Sequence, residues 1–170
     1  MTIHSGNPFA DPEPDPVRQL RGRLGGQVTL WTAGSGADRA GLTVSSLLVA
    51  VGEPGRVVGL LDPDSDFAAR FEQTRRAVIC LLEWPHRMLA EIFAGLAPSP
   101  GGPFAAASFE QTPFGPRLVS TATWCGVRLL DGPARAETVG WSWLVDCAIE
   151  ELHVGPETDP LLHRRGRYTR

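Results

Sequence analysis

The sequence predicts a mainly β chain with a few helices that closes into a barrel. Three observations carry this expectation. Stretches of β-branched and aromatic residues recur along the 170 residues, each closed by Gly, Pro or Asp. Helical patterns are inserted after the third and fourth strands, whereas a doubly wound parallel sheet needs a crossover helix after nearly every strand. The run 77–82 (AVICLL) is continuously apolar over a strand's length, as expected of a strand buried on both faces. A closed barrel also removes exposed sheet edges.

Residues 1–15 carry Pro8, Pro12 and Pro14 among acidic residues and read as a flexible arm, because such a composition buries too little apolar surface to offset the entropy of ordering. Residues 16–170 then form one domain, a size at which about two-thirds of the unfolded surface can be buried. Asp15 followed by Pro16 predicts a helix start, with Val17, Leu20 and Leu24 on one face. The stretch 27–33 (QVTLWTA) is a strand ending at Gly34-Ser35-Gly36. Residues 42–51 form a second strand, closed by Gly52-Glu53-Pro54-Gly55, and 56–61 a third. Ser65, among Asp62, Asp64 and Asp66, caps a helix whose apolar face holds Phe67 and Phe71 and which runs to about Arg75.

After the strand 77–82, Trp84-Pro85 opens a helix with Met88, Leu89, Ile92 and Phe93 on one stripe, ending near Gly95. Residues 98–102 are a loop. Shorter strands are expected at 104–109 and 117–119, and longer ones at 122–130 and 139–152, with a turn at Asp131-Gly132-Pro133 between the long pair. The tail, 161–170, is basic.

Composition narrows the chemistry. The net charge of −3 lacks the broad positive field that a nucleic-acid partner requires. No run approaches the roughly 18 apolar residues of a membrane span. The acidic, Pro-rich opening is unlike a secretory signal, so a cytoplasmic location and no membrane partner are expected. Cys80, Cys125 and Cys147 are odd in number and widely spaced, which suits neither a disulfide framework nor zinc, and they read as small core residues. His153 and His163 are too far apart to suggest a metal cluster, so no metal is expected. All 16 basic residues are arginine. A lysine Schiff base, a lysine nucleophile and the usual phosphate-binding loop are thereby excluded, and anions must be held by arginine forks, hydroxyls or backbone amides. Arg39 stands where a dinucleotide loop starting at Gly34 needs its third glycine, and no Gly-x-Ser-x-Gly elbow is present.

Taken in order, Gly41-Leu42-Thr43-Val44-Ser45-Ser46, the strand ending at Glu53-Pro54, the next strand with Asp64-Ser65, the strand reaching Leu82, and Leu89-Ala90-Glu91-Ile92-Phe93-Ala94-Gly95 resemble the flavin reductase-like family. That family's fold is the FMN-binding split barrel. The resemblance implies a homodimer with FMN, or FAD, near the interface and NADH or NADPH as reductant, delivering electrons to its own flavin or supplying a monooxygenase. By motif, it assigns Thr43, Val44, Ser45 and Ser46 to the flavin ring or ribityl chain and Ser65 to the phosphate. The tail His163-Arg164-Arg165-Gly166-Arg167-Tyr168 resembles the segment with which family members close the chain near the cofactor, which brings Arg165 and Tyr168 to the site.

Two places depart from the family pattern. Val49, Ala50 and Val51 stand where many members carry Ser-Val-Ser before paired prolines, and Gly140-Trp141-Ser142 stands where reductases often show Gly-Asp-His. Trp141 or Trp143 could stack on a ring in place of that histidine. The catalytic residues are not identified by the sequence. A second reading is a non-catalytic carrier of flavin or deazaflavin, or a redox sensor, on the same barrel. His86, beside Trp84-Pro85, reads as an exposed histidine at a helix start.

Overall fold

The structure is a computed structural model that describes residues 15–130, 138–156 and 159–170. The arm up to residue 14 and the turn at Asp131-Gly132-Pro133 lie outside the described residues. In chain order the elements are α1 (Pro16–Leu24), β1 (Gly26–Gln27), β2 (Thr29–Ala33), β3 (Ala40–Val44), β4 (Leu47–Ala50), β5 (Arg56–Leu61), α2 (Asp66–Thr74) and β6 (Arg76–Leu81). There follow α3 (Arg87–Phe93), β7 (Phe109–Thr112), β8 (Gly115–Leu118), β9 (Trp124–Leu129), β10 (Thr138–Val139), β11 (Ser142–His153), β12 (Leu162–Arg164) and β13 (Arg167–Thr169).

The main sheet is antiparallel with the order β3-β2-β6-β9-β11-β5-β4, and β10 pairs with β11. Its two end strands, β3 and β4, follow one another in the chain and are joined by Ser45 and Ser46 alone. Three Cα steps span at most roughly 11 Å. The sheet must therefore curl until its edges nearly meet, which makes a barrel with its split at Ser45-Ser46. The buried Thr29 hydroxyl donates to Val44 O on one lip (2.7 Å) and accepts from Trp31 Nε1 (3.0 Å). On the other lip Leu60 N–H donates to Ser46 O at 2.9 Å.

Strand alternation divides the core in two. Trp31 and Ala33 of β2, Ala77 and Ile79 of β6, and Val127 and Leu129 of β9 fill the barrel, which α2 plugs with Phe67 and Phe71. Phe71 sits 6.3 Å from Trp31 and 6.0 Å from Trp143, with Phe67 stacked on it at 5.5 Å. The opposite faces of β2 and β6, through Leu30, Val78 and Cys80, pack under α3 and the β7–β8 hairpin, against Leu89, Phe93, Phe114 and Leu118. Burial on both faces explains why 77–82 reads as unbroken apolar sequence. The three cysteines are buried, as expected of core residues, and burial pushes the Cys80 and Cys147 thiols up to about 12 and Cys125 to about 11.

A small second sheet, β1-β12-β13, ties the two ends of the chain together. The Gln27 amide donates to Leu82 O at 2.7 Å and to Leu161 O at 3.2 Å, and Leu161 is fully buried, so the basic tail is held in place.

Several expectations need correcting. The strand predicted over 42–51 breaks at Ser45-Ser46, because the chain there crosses from one lip of the barrel to the other. The strand predicted over 104–109 begins only at Phe109, since Pro103–Ala106 is a 3-10 turn started by proline. The apolar face of α1 is not buried, with Val17, Leu20 and Leu24 each more than 60% exposed, and on α3 Met88 leaves the apolar stripe. Among the described residues no helix is long and apolar enough to cross a membrane.

Candidate functional site

The split of the barrel gathers most of the residues singled out by the sequence. Ser45 and Ser46 are half-buried, and among the described residues their hydroxyls have no hydrogen-bond partner. Thr43 sits on β3 with its hydroxyl donated to Ala90 O of α3 at 2.8 Å, so it clamps the helix to the lip. The Val44 side chain is 4% exposed and belongs to the barrel core. Only the backbone of Thr43 and Val44 remains to meet a ligand, together with the two free serine hydroxyls.

Gly26 brings the tail to this lip. A Cβ placed there would lie 2.6 Å from Ser45 O, so the absence of a side chain is what lets β1 rest on the turn. Gly26 is opposite His163 in the register, and His163 faces Tyr168 across the β12–β13 hairpin, ring centroids 5.6 Å apart. Tyr168 packs against the outer core, and burial, with the Glu91 carboxylate adding to it, pushes its phenol up to about 12. At neutral pH it is a protonated hydrogen-bond donor. Arg165 occupies the hairpin turn at φ 53°, exposed, its N–H bonded to Gly22 O of α1 at 2.8 Å. Burial, with the Arg21 guanidinium adding to it, holds His163 below its ordinary pKa.

Ser65 lies five residues beyond Leu60, whose N–H reaches Ser46. Its hydroxyl is engaged on both sides, donating to Asp62 O (2.8 Å) and accepting from Ala68 N–H (3.1 Å), as a helix cap does. A phosphate here would meet backbone amides in the company of Asp62, Asp64 and Asp66.

The two tryptophans separate. Trp143 is 5% exposed inside the barrel against Phe71 and cannot stack on a ligand, which corrects one of the expected alternatives; Trp141 is 69% exposed. His86 is half-buried and bonded at both nitrogens, contrary to the exposed position expected. Its Nδ1 accepts from Glu83 N–H (3.0 Å), and Nε2 meets Ser120 Oγ at 2.9 Å. Burial lowers its pKa, with Glu83 opposing. An open depression of about 430 Å³ lies elsewhere, between the β7–β8 hairpin and the ends of β9 and β11, and none of the expected residues lines it.

The sequence reading missed Gly26 and Glu91 as members of this neighbourhood. The Gly25-Gly26 pair ahead of a strand was the available signal, but a close approach to residue 45 is a tertiary fact.

Comparison with known proteins agrees with this fold. The flavin reductase like domain family matches residues 21–170. No curated protein matches by sequence. Among solved structures, the flavin reductase PheA2 in its native state superposes with a TM-score of 0.78 at 18% identity, covering 91% of this chain and 95% of that one. The styrene monooxygenase flavin reductase from Pseudomonas putida S12 gives 0.76 at 20% identity, covering 91% and 96%. The NADH:FAD oxidoreductase SgcE6 of Streptomyces globisporus C-1027, in complex with NAD and FAD fragments, gives 0.75 at 19% identity, covering 91% and 90%. With a barrel split at a Thr-Val-Ser-Ser turn and a family match over nearly its whole length, the chain belongs to the flavin reductase-like domain family of flavin-reducing oxidoreductases.

Proposed function

We propose that this chain is an NAD(P)H-dependent flavin reductase that takes FMN, with FAD as the alternative, at the lip formed by Thr43, Val44, Ser45 and Ser46. The single observation that carries the site is the pair of uncommitted, half-buried hydroxyls at the barrel split. A flavin's carbonyl and ring-nitrogen edge asks for uncharged donors and acceptors, which two serines and an open backbone turn supply. The bound flavin would accept and pass on the hydride; the protein's part is to seat the ring and exclude water. Ser45 and Ser46 hold the polar edge, the Tyr168 phenol donates from the tail, and Arg165 stands at the rim for an anionic group. Ser65 contributes through the α2 amides that its cap orders.

The outer face beside the split supports a homodimer. Leu48 is 74% exposed and opposite Val58, next to exposed Leu60 and its partner Leu144. An apolar strand face at a sheet edge favours a second copy, which would bury about 800 Å² per partner in an ordinary interface and line the open side of the lip. One structural neighbour is named as a styrene monooxygenase's flavin reductase, and we assign this chain the same kind of partner, a monooxygenase, in the cytoplasm, where NAD(P)H is at hand.

The test is a flavin titration of purified protein followed by anaerobic addition of NADH or NADPH. Uptake of FMN with bleaching of its visible bands is expected, and S45A/S46A should weaken uptake roughly tenfold by removing two hydrogen bonds of ordinary worth. Uptake without bleaching would instead support the carrier reading, which is favoured by Ser142 standing in place of the family histidine while Trp143 is turned into the core. Light scattering reads the dimer.

A further inference from the structure

The charges of this protein are sorted in space. The helix α1 and the tail 161–170 hold seven of the sixteen arginines and none of the nineteen acidic residues. The fold brings the two segments together. Arg164 Nε donates to Arg23 O (3.4 Å), Arg165 N–H to Gly22 O (2.8 Å), and the Arg164 stem runs within 3.3 Å of where a Gly25 Cβ would lie. Arg21, Arg23, Arg164 and Arg167 are all exposed. Among the described residues, Asp15 caps α1 by accepting from Val17 and Arg18 N–H, and Asp159 pairs with Arg170 at 3.3 Å.

This face adjoins the proposed flavin lip. Ser45 O lies against Gly26, the next residue is Gly25 under Arg164, and Gly26 is opposite His163. By contrast the sequence neighbours of Ser65, on the α2 side, are the carboxylates Asp62, Asp64 and Asp66, so a phosphate there has backbone amides but no adjacent arginine fork. Like-charged guanidiniums collected in one place repel each other, and a phosphate matched by arginine forks relieves this with short, charge-assisted hydrogen bonds. A two-fold contact of this face with itself would set arginine on arginine, which disfavours a second copy as its occupant.

We propose that the face formed by Arg21 and Arg164, with Arg23 and Arg167 around them, binds the phosphate groups on the adenosine half of a dinucleotide whose reactive ring lies at Ser45-Ser46. The proposal rests on the flavin reductase reading for the identity of the ring. Two sources share this chemistry: the 2′-phosphate of NADPH and the pyrophosphate of FAD or NADH.

Calorimetric titration of the flavin-free protein at low ionic strength, with 2′,5′-ADP, ADP and adenosine as probes, tests the site without any turnover. At least one phosphorylated probe should bind where adenosine does not. The R21Q/R164Q double variant should weaken that binding roughly tenfold to a hundredfold, and R164K should recover part of it. R128Q, which removes an arginine paired with Glu150 on the far strands, should change nothing. Preference for 2′,5′-ADP identifies the NADPH 2′-phosphate as the source, and preference for ADP the pyrophosphate. The proposal is overturned if neither probe binds better than adenosine, if the double variant binds as the parent does, or if R128Q weakens binding equally. A parallel FMN titration separates the two readings: FMN uptake without nucleotide binding sinks only this proposal, whereas nucleotide binding without FMN uptake sinks the flavin lip and leaves the arginine face standing.

Discussion

Gly26→Ala probes the contact that joins the tail to the split of the barrel. An alanine Cβ at this position would sit 2.6 Å from Ser45 O, and ordinary contact begins at 3.4 Å. The turn or β1 must therefore move by about 0.8 Å, a displacement that a carbonyl held in a sheet lip resists. Overpacking of this kind costs about 1–3 kcal/mol. For a domain of this size that corresponds to a fall in Tm of roughly 2–12 °C. The same shift carries the Ser45 hydroxyl out of register with a bound ring, and losing one hydrogen bond of ordinary strength weakens flavin binding about threefold to tenfold. Gly55→Ala is the control, because the nearest atom its Cβ meets is Ile149 Cδ1 at an ordinary 3.4 Å. Differential scanning calorimetry and flavin fluorescence quenching on both variants read the two effects separately. If Gly26→Ala melts and binds flavin like Gly55→Ala, β1 does not rest on the Ser45 carbonyl and the argument fails. A lowered Tm with unchanged flavin affinity would keep the packing and remove Ser45 from the site.

Phe71→Ala removes the ring that joins Trp31, Phe67 and Trp143 in a fully buried plug, and should cost about 3–5 kcal/mol, read as a lower urea midpoint. Thr43→Val deletes a single hydroxyl bond to Ala90 O, which keeps its helical partner Ala94 N–H at 3.0 Å, so a loss of about 0.5–1.5 kcal/mol is expected with flavin affinity held within about twofold. A larger fall in affinity would show that the Thr43 hydroxyl, not its backbone, meets the ring. His86 has a folded-state pKa below its ordinary 6.5, so the unfolded chain takes up its proton first; the stability it contributes is complete above pH 6.5 and is lost as pH falls from there toward the folded-state value. Urea midpoints measured from pH 7 to pH 5 should therefore fall less steeply in His86→Gln than in the parent, and parallel curves would exclude His86 as a source of the pH dependence.

Local chemistry explains why so much of the architecture could be read in advance. The Asp15-Pro16 and Ser65 caps, the strand 56–61 and the apolar run 77–82 are specified by neighbours in sequence, and the structure places each within a residue or so of its expected position. Ring-seating by Thr43 to Ser46 was an inference from resemblance, and the fold gives those four residues unequal means: two free hydroxyls, one committed hydroxyl and one core side chain. Trp143 shows the limit most clearly. Its flanking sequence allows either face of β11, and only the register against β5, which sets it opposite Leu61, sends it into the barrel.

What the residues determined by themselves was the main helices and core strands, the all-arginine basic chemistry and the family pattern, because propensity, capping and composition act over a few positions. Tertiary structure alone decided that Ser45-Ser46 is the split of a barrel, that Gly26 must be bare to reach it, and that arginines about 140 positions apart share one face. These are consequences of sheet closure. A strand's period of two fixes which side chains alternate, but the order and register of distant strands decide what each side meets.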